Sequence, residues 1–455
     1  MRASVKYGGP IAIRRILTRP FGTRPKRPAF AAERHSDVGS AARTARVLYL
    51  TYDGLTDPLG QSQILPYLQG LAARGHRITV LSCEKNVLAG TSAAVVNECR
   101  SAGIHWYPLK YHKRPPILST VLDLVVMAAA AQRLHRRECF DVVHCRSYLP
   151  ALIGRRMQRK FGIKFLFDMR GFWVDERFER GIWNSRQPAY MLIGKWLRRR
   201  ERDLFQKADA VVSLTDAGRQ ELQRRGGIQW AQKTTVIRCC ADLKHFDPRN
   251  GCARQEGRAL LGINDRVPVL LFLGSLGGAY PLVPVVQFFR RWAHGNPDAQ
   301  LLFVTPHPRS ELLRHAAVST IANQVIVRSA ARNEVPILIA AADAAVSFVL
   351  PSFCAVASSP TKVGEILSMG VPLAVNAGVG DIARMFETSA EVVLLPDLEQ
   401  SAVDHAAAEM RTLRANPTAI RRLAERLYSL DVGIEKYDRI YVSLLENHQT
   451  AAGRS

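Results

Sequence analysis

The chain has 455 residues, 47% of them hydrophobic and 22% charged. That is ample for a large core and excludes wholesale disorder, low complexity and collagen-like repeats; the length implies about two to four domains. Its 63 Lys and Arg against 39 Asp and Glu give a formal charge of +24, which points to a phosphate-bearing partner: nucleic acid, an anionic lipid surface or a phosphorylated substrate.

Residues 1–44 hold ten basic residues against Glu33 and Asp37. No apolar run follows the first charges, so the stretch lacks the middle region of a secretory signal. It reads as a basic, disordered arm, with an upstream start codon as the alternative origin. The eight cysteines show neither a CxxC pair nor zinc spacing, which fits a reduced, cytoplasmic protein without a bound metal. The apolar stretches around 121–131 and 335–349 are broken by Asp123 and Asp343, so no membrane span is expected.

From residue 45 onward, short β-branched runs alternate with amphipathic stretches. Strands are expected at Arg46–Thr51, Ile78–Cys83, Asp141–Cys145, Lys164–Asp168 and Ala210–Thr215, with a loop at 52–60 and a helix over Ser62–Arg74 closed by Gly75. The link Val236–Pro248 interrupts the pattern. It then restarts with strands at Val267–Gly274, Gln300–Thr305, Val325–Val327, Ala344–Val349, Pro372–Asn376 and Glu391–Leu395. Helices are expected at Leu282–Ala293, Val335–Ala342, Thr361–Met369 and Ser401–Ala415. Continuous apolar strands separated by helices belong to parallel sheets covered on both faces. The expected fold class is therefore α/β, with two Rossmann-like parallel-sheet domains facing across a cleft. The domains are read as 45–240 and 241–430. A closing segment, 431–455, carries a helix with Tyr437 and Tyr441 on one face and docks back on the first half.

The strongest local signal is Ser358 to Glu365. Ser359 is read as the N-cap and Pro360 as the first helical residue, leaving free amides and a positive helix end for a diphosphate. Thr361 continues this helix start. Lys362 adds a full charge, and Glu365, a turn further on, suits a pair of ribose hydroxyls. A well-capped ordinary helix is the bland alternative. Gly274 and Ser275 follow the first strand of the second half, where glycine lets backbone approach a ligand. Asp381, after a second glycine turn, is read as the cap of the helix that follows it. In the first half Gly60 lies in a glycine turn before a helix. His144, Arg146, Asp168 and Arg170 are placed at the carboxyl ends of neighbouring strands. There arginines and a histidine would stabilise a departing diphosphate. Two basic-aromatic stretches, Trp106–Ser119 and Lys195–Arg202, suit an anionic bilayer. No RNA- or DNA-binding motif accompanies them, so nucleic acid is not expected as a partner.

Five segments together carry a resemblance: YLTYDGLTDPLGQSQILPYL, FDMRGFW, ADAVVSLT, VIRCCADLKHFDP and SPTKVGEILSMGVP. With them, residues 45–445 resemble family 4-type glycosyltransferases of the GT-B fold. The resemblance implies retaining, metal-independent transfer of a sugar from a UDP- or GDP-linked donor, with no further cofactor. The acceptor would be a saccharide or a lipid-linked molecule, in polysaccharide or glycolipid synthesis, with an anionic membrane face as a further partner. It implies that Glu365 holds the donor ribose and that Ser359 to Lys362 hold the diphosphate. Gly60 would lie near the reaction centre, and His144 or Arg146 near the transferred sugar. Two departures stand out: the family's Glu eight residues before Glu365 is Ala357 here, and its Arg and Lys after the first donor-domain strand are missing. The alternatives are a non-catalytic or weakly active relative that binds an anionic polymer or membrane surface, and a nucleotide-sugar epimerase or phosphorylase of the same fold.

Overall fold

The computed structural model describes residues 43–85, 89–115, 117–248 and 253–452. The expected basic arm, apart from residues 43 and 44, and Cys252 lie outside them.

Thirteen strands form two all-parallel sheets. In the first, β1 (Arg46–Thr51), β2 (Arg77–Glu84), β3 (His105–Lys110), β4 (Val142–Arg146), β5 (Lys164–Asp168), β6 (Ala210–Ser213) and β7 (Thr234–Val236) are arranged in the order β3-β2-β1-β4-β5-β6-β7. In the second, β8 (Val269–Leu273), β9 (Gln300–Val304), β10 (Val325–Arg328), β11 (Ala344–Ser347), β12 (Leu373–Asn376) and β13 (Val392–Leu395) follow the order β10-β9-β8-β11-β12-β13. Each order reverses once, between β1 and β4 and between β8 and β11. Ligands of such sheets bind beyond the carboxyl ends of the strands at that reversal.

Alternation along each strand builds two core layers per sheet. On β1, Leu48 and Leu50 enter one cluster and Val47 and Tyr49 the other. On β8, Val269, Leu271 and Leu273 face one layer and Leu270 and Phe272 its opposite. The helices used below are α1 (Pro58–Gln63), α2 (Leu65–Ala73), α3 (Leu118–Glu138), α4 (Tyr148–Phe161), α5 (Pro188–Lys207), α6 (Asp216–Gly226), α7 (Thr361–Ser368), α8 (Ile382–Phe386) and α9 (Leu430–Ala452).

Three local expectations need correction. The single helix over 62–74 is two helices, α1 and α2, that meet at Ile64. Pro66 near the start of α2 has no amide hydrogen to continue the earlier ladder. The loop expected to contain Gly60 is shorter, and Gly60 itself is a buried residue of α1. The basic-aromatic stretch Trp106–Ser119 overlaps strand β3, which was not among the expected strands. Its Pro108 is accommodated because β3 is an edge strand.

The last helix is part of the first domain's core. Ile434, Tyr437, Ile440, Tyr441 and Leu444 of α9 pack with Tyr67, Leu68 and Leu71 of α2 and with β1. Buried His76 pins it: its Nδ1 accepts the Ala45 amide at 3.0 Å, and its Nε2 lies 2.8 Å from Asp438.

Gly60 shows how tightly the loop after β1 is folded. A Cβ there would stand 2.0 Å from the Gly54 carbonyl oxygen and 2.7 Å from the Leu55 Cα. Glu84 holds that loop through the amides of Leu55 and Thr56, at 2.8 and 3.2 Å. Gly60→Ala is therefore expected to destabilise the fold by about 1–3 kcal/mol through overpacking against backbone. Urea unfolding of the two proteins checks this, and an unchanged midpoint would contradict it.

Candidate functional site

The reversal point of the second sheet holds the most unusual side chain in the structure. Lys362, in the first turn of α7, is 8% exposed, and its Nζ is buried without a hydrogen-bond acceptor among the described residues. It lies 3.8 Å from the Tyr280 ring centroid and 5.0 Å from that of Phe272. Aromatic faces attract a cation but supply no lone pair for its hydrogens. Burial, offset only in part by Glu365, lowers its pKa to about 7. Gly274 faces this amine directly. Its φ is +117°, and an added Cβ would stand 3.1 Å from Lys362 Nζ. A side chain here would be strained and would crowd the amine. Ser275 is exposed on the same loop.

Glu365 is buried one turn further along α7. Burial raises its pKa, while Arg332, 3.7 Å away, and Lys362 pull it back. The helix start differs from the expectation: α7 begins at Thr361, Pro360 stands at its boundary, and no side chain caps it. Ser359 is not the cap because its Oγ accepts the Cys239 amide at 3.2 Å. The hydroxyl is committed to the link between the sheets, so the amides at the mouth of α7 get no help from it.

The four first-domain residues do come together, but as a buried cluster. Arg146 and Asp168 end β4 and β5, whereas His144 is the middle residue of β4, not its end. His144 is 2% exposed; its Nδ1 lies 2.7 Å from the Tyr441 hydroxyl, and its Nε2 stands 3.7 Å from Asp168. It is a core residue under α9. Burial pushes the Asp168 carboxyl up, but Arg170, His144 and Arg146 together hold it below the ordinary range. Tyr437 also donates to Asp168, at 3.1 Å. The Arg170 guanidinium is 3.7 Å from Asp168 and donates to Cys239 Sγ at 3.3 Å. Of the four, Arg146 alone reaches a partly open partner: its Nε is 3.4 Å from Asp53, just beyond β1. Ser147 and Arg170, which directly follow β4 and near the end of β5, have φ of 68° and 59°. Non-glycine residues in that region cost energy and are held by their surroundings.

The two halves are joined by caps that cross between them. Asp381 does not cap α8, which follows it. Its carboxylate accepts the Asp216 and Ala217 amides at the start of α6, at 2.9 and 3.0 Å, and pairs with Arg238 at 3.0 Å. Glu179 likewise accepts the amides of Phe353 and Cys354. Ala357 is 1% exposed and belongs to the first domain's apolar cluster, so the loop leading to α7 is seated on that domain. Sequence reasoning missed Tyr280, Arg332, Glu179 and Asp53. Tyr280 lies six residues beyond Gly274 and was open to inspection; the others carry no local signal.

Residues 61–240 match the family model of the glycosyl transferase 4-like domain. No curated relative matches the sequence. Among solved structures, sucrose-phosphate synthase from Thermosynechococcus elongatus aligns with a TM-score of 0.66 at 16% identity, covering 88% of this chain and 100% of that one. A glycosyltransferase from Rickettsia africae gives 0.65 at 15%, covering 89% and 100%. Anabaena HepE, solved in complex with UDP-glucose, gives 0.60 at 14%, covering 88% and 99%. The class is thus a two-domain α/β protein of the GT-B fold, its first half a glycosyl transferase 4-like domain.

Lys362→Met tests the electrostatics without a ligand. With a folded pKa of about 7 against an ordinary 10.5, the unfolded chain binds the extra proton between those values. Wild-type stability is therefore expected to rise with pH across that window relative to Lys362→Met. Urea midpoints of both proteins from pH 6.5 to about 9.5 check the difference; parallel profiles would refute the buried, unpaired amine.

Proposed function

We propose that this protein transfers a sugar from a nucleoside-diphosphate donor to a saccharide or lipid-linked acceptor, with retention and without a metal ion. The pathway would be polysaccharide or glycolipid synthesis at the cytoplasmic face. The observation that carries the reading is the unpaired Lys362 amine beside Gly274, at the reversal of the second sheet. A diphosphate there would give the amine its missing acceptor and meet the positive end of α7. Glu365, when ionised, would accept from two ribose hydroxyls. The likeness to a protein solved with UDP-glucose supports UDP as the first nucleotide to try.

The bond from the sugar's anomeric carbon to the diphosphate oxygen breaks as the acceptor oxygen bonds to the same face. The acceptor's proton passes to the departing diphosphate oxygen. No side chain acts as nucleophile; the protein positions the reactants and stabilises charge. Arg146, paired with Asp53 at the end of the first sheet, is the cation nearest the acceptor side. Arg170 does not supply phosphate charge in this reading, because Asp168 and Cys239 hold it inward. A second reading, a sugar-nucleotide binder with little transfer, is favoured by Ala357, whose buried methyl offers the sugar no carboxylate. Nucleotide release with and without acceptor separates the two.

Calorimetry with UDP and GDP tests the site. Glu365→Ala is expected to weaken binding of the preferred nucleotide by about 1–3 kcal/mol, the cost of leaving hydroxyls unpaired. Above pH 7, binding should draw a proton onto Lys362, so the apparent heat should vary with the buffer's ionisation heat. This dependence should vanish in Lys362→Met. Wild-type protein that binds neither nucleotide would refute the proposal.

A further inference from the structure

Ten of the seventeen large apolar side chains exposed among the described residues fall in two stretches, 117–126 and 182–196. The most exposed, Leu118 and Leu192, are each 68% accessible. Leu118 opens α3 and Leu192 lies in the first turns of α5, so each stretch is the outer face of a helix beginning. The two stretches flank a single pocket of about 550 Å³, lined near its mouth by Ile117, Val121, Ile182 and Trp196. Its inner wall includes Asp53, Arg146 and Ser147, the carboxyl ends of β1 and β4. The pocket therefore runs from an apolar rim to the reversal point of the first sheet.

Charge completes the pattern. Residues 182–200 contain five basic residues and no acidic one. Beside the pocket, and sharing Trp196 and Leu152 with it, is a groove of about 500 Å³ lined by Arg155, Arg156, Arg159 and Arg200. Arg155 pairs with Asp203, and Arg200 stacks over the Trp196 ring at 5.4 Å. Among the described residues Arg156, Arg159, Lys195, Arg199 and Arg202 have no acidic partner. Asp123, the one acid in 105–126, is buried and bonded to Tyr52 and His112.

From this juxtaposition we infer that the face formed by the start of α3, residues 182–196 and the arginine groove seats on an anionic bilayer surface. Apolar side chains enter the acyl boundary while unpaired cations meet headgroup phosphates, each adding roughly 1 kcal/mol. A soluble saccharide would need neither the leucines nor the arginines. No helix of the described residues is long and apolar enough to cross a membrane, so the contact is with the surface. The inference rests on reading the first domain as the acceptor side. It deepens that reading: the acceptor is lipid-borne and enters the pocket from the membrane, reaching Arg146 and Asp53 head-first.

The test is co-sedimentation of the full chain with phosphatidylcholine vesicles, with and without phosphatidylglycerol. The wild type should sediment with the anionic vesicles only, and salt should release it. Leu118→Asp/Leu122→Asp/Leu192→Asp should lower the partition about tenfold or more, and Arg156→Glu/Arg159→Glu/Arg199→Glu similarly. Val283→Asp/Val432→Asp, at positions 45% and 46% exposed elsewhere on the surface, should not change it. All variants should keep wild-type UDP affinity, which verifies folding and separates failure here from failure of the donor site. Wild type that ignores anionic vesicles, that binds neutral ones equally, or whose partition survives the leucine substitutions would overturn the inference.

Discussion

A lysine amine removed from water, with aromatic faces but, among the described residues, no oxygen to receive its hydrogens, is the constraint that sets the reversal point of the second sheet apart. Transferring a charged ammonium into such a place is costly, and proteins usually answer by pairing it or neutralising it. Here Glu365, three residues along α7, contributes attraction without a hydrogen bond, and Tyr280 contributes its ring. The remaining deficit keeps the amine close to half-protonated near neutrality. Gly274 matters for the same reason, because a Cβ there would stand 3.1 Å from the amine.

That arrangement depends on contacts made far from it. The loop between β11 and α7 is fastened at three points to the first domain: Glu179 on the amides of 353 and 354, Thr215 on the Val356 carbonyl, and Cys239 on Ser359. Asp381 adds a fourth by capping α6 with a carboxylate that is nearly buried. Charged caps of this kind are among the stronger hydrogen bonds, and each joins residues more than a hundred positions apart. The position of α7 relative to β4 and β5 is thus fixed by polar bonds rather than by apolar packing alone.

These long-range bonds explain what was and was not legible in the sequence. Apolar β-branched runs dictate strands by local pattern, so Arg46–Thr51 and Gln300–Thr305 could be placed almost to the residue. β3 was concealed because its exposed edge permits His105, Pro108 and Lys110, which blur the alternation. Ser359-Pro360 has the composition of a helix start, yet which partner its hydroxyl takes is decided by Cys239, 120 residues away. Asp381 misled in the same way, since a cap can serve whichever helix start lies nearest in space. His144 was misjudged by position: being two residues short of the strand end turns its ring under α9 and onto Tyr441. Gly274 and Lys362 were legible as residue types, but the absence of an acceptor for the lysine among the described residues emerges only in three dimensions.

The first-domain cluster also limits what chemistry the chain's own groups perform. Asp168 is ringed by Arg170, Arg146, His144 and Tyr437; burial pushes its carboxyl up, but Arg170, His144 and Arg146 hold it below the ordinary range, the opposite direction from the one a base at neutral pH requires. His144 has its pKa lowered, first by burial, and one nitrogen committed to Tyr441. Both groups are sealed from solvent, His144 at 2% and Asp168 at 1% exposure. What the cluster does instead is fix Arg146, whose Nη1 stands 3.9 Å from Asp168 while its Nε turns to Asp53. Arg146, held between Asp168 and Asp53, and the unsatisfied amine of Lys362 beside α7 are therefore the two cations whose surroundings most constrain them at the reversal points of the sheets.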